Sequence, residues 1–334
     1  MVSYDRPYDW GLGAADFIGA DLPLIMRLEE AGLDVAYATS IDVHETPERL
    51  QRHRAVLTTA HDEYWTMQMR DAFEAARDAG VNLVFFGANA AFRQVRLEDS
   101  PQGPYRRQVC YKSSSEDPMR TTSPELTTIN WRDAPVSRPE SALIGVQYDG
   151  QGRADLEVTN PDGWIWDQTG VGYRQKFRGV IGPEFDRVLS ASPDNIQIFA
   201  RSAIRAKGDK DTWADTTYYS APGGAGVFAS GTIGWISALR PTKIIGRPHE
   251  PALYHATMNL LRLFGAGPAG TARPSIPNAS STHASPLPPL PKPPPKYAGP
   301  TVPPAGSEPT TTSTSTTTST TTTTSTTTTT TTTP

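Results

Sequence analysis

Ala55-Val56-Leu57-Thr58-Thr59-Ala60-His61-Asp62-Glu63-Tyr64-Trp65 is the stretch that decides the fold. Its first six residues are apolar or β-branched, with charge before them and a polar cluster after. That pattern predicts a short buried strand over 55–60. The polar cluster begins where the strand should end. In extended chain His61 and Glu63 point one way, Asp62 and Tyr64 the other. Ligands of open parallel sheets bind outside the carboxyl ends of strands, so an imidazole beside a carboxylate there marks a candidate site.

Outward from this stretch, strands and helices alternate. Leu24, Leu28 and Ala31 recur on one face of a helix over about 22–31, with Gly32 as its C-cap. A short strand is expected over Asp34–Thr39. Thr46-Pro47 should open a short helix to about His53. Thr66 should cap a helix running to Ala79, with Met69, Ala72, Phe73 and Ala76 at helical spacing and Gly80 ending it. Val81–Phe86 reads as a second buried strand, followed by Gly87-Ala88-Asn89-Ala90-Ala91. Short loops between alternating elements predict an α/β fold, a parallel sheet with helices on both faces.

From about Gln94 the pattern changes. Residues 94–220 read as a β-rich insertion of short strands and loops, including a strand over Ala142–Tyr148. The tryptophans Trp131, Trp164 and Trp166 read as core. Glu184, Asp186, Arg187, Asp215 and the run from Lys207 to Asp211 read as solvated loops. Gly226–Ile236 should be a strand and Pro251–Phe264 an amphipathic helix, together rejoining the sheet. Residues 1–270 form the expected domain. Residues 271–334 are rich in proline and then in threonine and serine, with nothing else from Thr310 to Thr333; no core forms from that composition, so a disordered tail is expected.

Bulk chemistry narrows the function. The 334 residues carry a formal net charge of -4 and a pI of about 5.9, which favours neither nucleic acid nor an anionic membrane. One cysteine, Cys110, excludes an internal disulfide and a cysteine-rich zinc site. No apolar run approaches membrane-helix length, and the N-terminus has no basic-then-apolar leader, so a cytoplasmic location is expected.

Asn89 falls at the end of the strand neighbouring 55–60, on the same edge as His61 and Glu63. An amide both donates and accepts, which suits it to orient water or a substrate amide; the plain alternative is a turn residue tolerant of left-handed backbone. The segment 87–91 sits where hydrolases of this layout keep a nucleophile elbow, yet its tip is Asn89, which cannot attack a carbonyl. Cys110 has no evident base, so thiol catalysis is not expected. Arg6-Pro7-Tyr8 precedes the first helix and should reach the same edge, although Tyr8 read on its own is a simple loop anchor. His249 and His255 are too far apart for a metal pair.

Taken together and in order, Asp5-Arg6-Pro7-Tyr8, His61-Asp62-Glu63-Tyr64-Trp65, Gly87-Ala88-Asn89-Ala90-Ala91, Cys110-Tyr111-Lys112 and Trp131-Arg132-Asp133 resemble the C-terminal domain of the large (beta) subunit of N,N-dimethylformamidase, over about residues 2–265. The resemblance implies a class I glutamine amidotransferase-like, flavodoxin-like parallel sheet that has lost its nucleophile. It implies a mononuclear iron (Fe3+) held by two tyrosines and one glutamate, with a histidine and an asparagine close by. Carried over, Glu63 and Tyr8 are the metal ligands, and His61 and Asn89 the catalytic neighbours. The second tyrosine and the first sheet strand are expected upstream of Met1. The expected function is iron-dependent hydrolysis of a small amide, with a small partner subunit or a homo-oligomer; the alternative is a non-catalytic binding or scaffold domain. Phenolate and carboxylate oxygens are hard ligands suited to a trivalent ion, which polarises a carbonyl and acidifies water.

Overall fold

Thr39 caps a short helix: its hydroxyl accepts from the Asp42 N–H while the Asp42 carboxylate accepts from the Thr39 N–H, a reciprocal cap. The computed structural model describes residues 1–6, 14, 16–239 and 250–279. In chain order these form β1 (Val2–Ser3), α1 (Leu22–Glu30), α2 (Ser40–Glu45), a 3-10 helix (Pro47–Arg52), β2 (Ala55–Ala60), β3 (Tyr64–Trp65), α3 (Met67–Asp78) and β4 (Asn82–Gly87). Next come β5 (Arg93–Gln94), β6 (Arg96–Ser100), β7 (Gly103–Val109), α4 (Met119–Thr122) and α5 (Ser141–Ile144). The remainder is β8 (Gln147–Gln151), β9 (Ala154–Glu157), β10 (Lys176–Ile181), β11 (Glu184–Arg187), β12 (Gln197–Ala206), β13 (Lys210–Ser220), β14 (Gly226–Ala229), α6 (Gly234–Ser237), α7 (Pro251–Ala266) and α8 (Ala269–Ala272).

The main sheet has five strands in the order β12-β13-β14-β4-β2. Strand β4 is buried along its whole length, and its side chains divide by the two-residue repeat of a strand. Leu83 and Phe85 join Met69 and Phe73 of α3 on one face. Val84 and Phe86 join Leu24 and Leu28 of α1 and Leu253 and Phe264 of α7 on the other. Helices therefore cover both faces, as the alternation of elements predicts. Each fully buried phenylalanine of this strand contributes roughly 1.5–3 kcal/mol over an exposed one.

A wholly parallel, flavodoxin-like sheet is not what forms. Strands β2, β4 and β14 run parallel, but β14–β13 and β13–β12 are antiparallel, and the four smaller sheets are mostly antiparallel. The reason lies in the connections. β12 to β13 and β13 to β14 are joined by tight turns, the latter closed by Ala221 N–H to Ala225 O, and a tight turn can only reverse the chain. Thus the last two strands of the expected 94–220 insertion extend the main sheet.

Three further expectations change. Asp34–Thr39 has no ladder partner among the described residues and forms no strand, although Leu33 and Val35 pack on the core. The strand expected to reach Ile236 stops at Ala229; Gly231 takes φ +65° and α6 follows. The strand expected over Ala142–Tyr148 is α5 followed by β8. Past residue 270 the chain stays bonded: Asn278 receives the Ile198 N–H and donates to the Ile198 carbonyl. Residues 280–334 lie outside the described residues. No helix among those described is long and apolar enough to cross a membrane.

Candidate functional site

β2 and β4 are paired in register from Ala55–Asn82 to Ala60–Gly87, so both strands end level. Their exits, 61–63 and 88–91, leave the same sheet edge. Gly87 is required there: a Cβ would lie 2.1 Å from the Ala60 carbonyl oxygen. The exits are then tied together by Ala91 N–H to Asp62 O (2.9 Å) and Arg93 N–H to Glu63 O (2.8 Å). Ala60 (φ +45°), Asn89 (φ +62°) and Ala91 (φ +49°) all adopt left-handed backbone, strain concentrated at one place.

His61 Nε2 lies 3.1 Å from Glu63 Oε2 and 3.5 Å from Glu184 Oε2. Glu184 Oε2 also accepts from Asn89 Nδ2 at 3.2 Å, and its Oε1 from Gln151 Nε2 at 3.4 Å. Two residues along β11, the Asp186 carboxylate accepts the Asn89 main-chain N–H at 2.8 Å. The Asn89 turn is thus clamped twice from β11, by side chain and by backbone. The imidazole is 38 % exposed, whereas Glu63 and Glu184 are each 12 % exposed, so His61 is the accessible face of the cluster.

Charge follows from this packing. The Glu63 hydrogen bond lifts the His61 pKa, against a burial penalty and with help from the Glu184 charge. Burial opposes ionisation of Glu63, but the His61 hydrogen bond and the charges of His61 and Arg93 outweigh it, holding the carboxyl below its ordinary value. Arg93 Nε stands 3.6 Å from Glu63 Oε1. Burial pushes Asp186 up to about 8, although the Asn89 N–H opposes the rise. The fold therefore binds a proton on Asp186 more tightly than the unfolded chain does. Its stabilising effect is complete below the unfolded carboxylate range and is lost as pH rises towards about 8. Asp186→Asn keeps the acceptor for Asn89 and removes the charge. We expect its stability relative to wild type to grow between pH 5 and pH 8; urea unfolding at those two pH values checks it, and a constant difference would contradict it.

The structure brings His61, Glu63 and Asn89 together through Glu184. Tyr8 lies outside the described residues, as does His249. The reading of Glu184 and Asp186 as solvated loop residues is wrong: Phe185 is fully buried, and its two neighbours alternate onto the side facing Asn89. The acidic-apolar-acidic alternation was the available signal. Asp215 is likewise buried, in an ion pair with Arg201 at 2.6 Å. Trp131 and Trp166 are core, as read. Burial raises the Cys110 thiol pKa against the opposing Lys112 backbone N–H, the wrong direction for a nucleophilic thiolate.

Fit to an ion can be tested on these residues. Glu63 offers hard oxygens, but one is engaged by His61 and the other faces Arg93. Among the described residues, no group of three or more His, Cys, Asp or Glu side chains is arranged to hold a metal ion. The described residues do not by themselves complete a site for a trivalent iron. A surface groove of about 490 Å³ is lined by Gln151, Arg153, Pro183, Arg205 and Lys207; none of His61, Glu63, Asn89 and Glu184 lines it.

The N,N-dimethylformamidase beta subunit of an Alcaligenes species is 25% identical over 268 residues, covering 69% of this chain and 35% of that protein. The N,N-dimethylformamidase beta subunit of Paracoccus aminophilus is 25% identical over 281 residues, again covering 69% of this chain and 35% of the relative. The chain thus matches about a third of the length of these relatives. Residues 1–250 match the family described as N,N-dimethylformamidase beta subunit-like, C-terminal, and the chain belongs to that family.

Proposed function

We propose that this chain carries the reacting groups of a hydrolase acting on a small amide. The observation that supports it is the placement of a partly exposed imidazole between two carboxylates, with an amide side chain clamped beside it. Nε2 of His61 is committed to Glu63 and Glu184, which leaves Nδ1 as the base. Nδ1 takes a proton from water as the water oxygen attacks the amide carbon. The two carboxylates stabilise the imidazolium that results. Asn89 fixes Glu184 and lines the position of the substrate carbonyl. Glu63 and Tyr8 are the proposed ligands of iron, which when bound would polarise that carbonyl. A partner subunit belongs to the same proposal, because the named relatives are beta subunits.

The test is direct. The purified full chain, alone and with candidate partner subunit, is assayed on a panel of formamides and acetamides while iron content and any visible phenolate-to-iron band are measured. Hydrolysis that falls at least 100-fold in His61→Ala supports the reading. Absence of hydrolysis under every condition overturns it. The second reading, a non-catalytic docking domain, is favoured by the neutralisation of Glu63 by His61 and Arg93. It predicts neither hydrolysis nor iron.

A further inference from the structure

We infer that Tyr148 is a further catalytic residue of this site, the acid that protonates the departing amine nitrogen; the inference rests on the amide-hydrolase reading above. Tyr148 stands opposite Asp186 in the β8–β11 ladder, so the two side chains share a face. Glu184 lies two residues from Asp186 on that same face, across a register shift between Phe185 and Asp186. The phenol lies within range of the Glu184 carboxylate, whose charge acts on it. Its ring rests on Phe92 with centroids 5.2 Å apart, and its carbonyl accepts from Arg132 Nη1 at 3.1 Å, so ring and backbone are both held. The residue is half-buried.

The surroundings keep the phenol protonated. Burial raises its pKa, and the charges of Glu184, Asp186 and Glu63 raise it further, to about 12. An alkylamine leaving group is a comparably strong base, and a proton donor works best when matched to the group it serves.

The step balances without an outside reagent. The water oxygen forms a bond to the amide carbon and its proton goes to His61 Nδ1. The C–N bond breaks, its electron pair stays on nitrogen, and the Tyr148 proton moves to that nitrogen. The phenolate then takes a proton from water and His61 gives its Nδ1 proton back to water, so both groups return to their starting states. The products are a carboxylic acid and an amine.

Leaving-group dependence separates this role from a structural one. Tyr148→Phe keeps the ring on Phe92. On an N-alkylamide its kcat should fall about 100- to 1,000-fold with KM little changed. On the matching nitroanilide, whose leaving group needs no acid, the fall should be under about threefold. A fluorotyrosine at position 148, which retains the hydroxyl and the fold, should keep most of the alkylamide activity. Equal losses on both substrates, or no loss on the alkylamide, overturn the role of Tyr148 alone. A wild-type protein inactive on every amide overturns the amide-hydrolase reading and this role with it.

Discussion

Asn82→Ala is expected to lower the unfolding free energy by about 4 kcal/mol and the thermal midpoint by roughly 10 °C. Asn82 opens β4 and is fully buried. Its Oδ1 accepts two backbone N–H groups, Gly226 and Ala269, each at 2.8 Å. Its Nδ2 lies within reach of three carbonyls, Arg54 (3.1 Å), Phe264 (2.9 Å) and Gly267 (2.6 Å), for which it has two hydrogens. One side chain therefore ties together the starts of β2, β4 and β14, the end of α7 and the start of α8. Alanine orphans several buried backbone groups at once, and each costs about 1–3 kcal/mol when left unpaired. Asp at this position keeps the acceptor but presents a charge to three carbonyls, and it should be worse than alanine. Denaturant unfolding of both variants decides the matter. A loss below about 1 kcal/mol for Asn82→Ala would mean that water or repacking replaces the amide.

Glu184→Gln should reduce amide hydrolysis by about 100- to 10,000-fold while leaving the fold intact. Glutamine is isosteric and its carbonyl still accepts from Asn89 Nδ2, so the Asn89 turn is retained. What disappears is one of the two charges facing His61. The His61 pKa, lifted first by its Glu63 hydrogen bond and then by the Glu184 charge, should fall back towards the ordinary histidine value in the variant. The sign of the linked stability follows. A histidine whose folded pKa is raised stabilises the fold fully below its unfolded pKa of about 6.5, and that contribution is lost as pH rises through the folded value. Wild type should therefore lose more stability than Glu184→Gln over that window. NMR titration of the His61 ring and unfolding curves at pH 6 and 8 read the two effects separately. Unchanged kcat would remove Glu184 from the chemistry, and an unmoved His61 titration would remove it from the electrostatics.

The amino-acid sequence alone fixed the elements whose cause is local. Ala55–Ala60 and the helix capped by Thr66 need only a buried apolar run and a hydroxyl that takes the Met69 N–H. The pairing of His61 with Glu63 needs only the two-residue repeat of extended chain. The level ending of β2 and β4, which puts Asn89 beside them, follows from adjacent parallel strands with one crossover between. Tertiary structure alone decided the rest. The direction of β12 and β13 depends on hairpin turns and on which edge they find, and no periodicity encodes an edge. Residues 34–39 carry the composition of a strand, yet a strand exists only where another backbone answers its hydrogen bonds. Glu184, Asp186 and Tyr148 reach the cluster from strands that lie more than 50 residues from Asn89 in sequence, through a ladder between β8 and β11. Charged residues look alike in a sequence whether water or a buried amide receives them. Only the packing of Phe185 into the core, which turns its two acidic neighbours towards Asn89, tells one from the other.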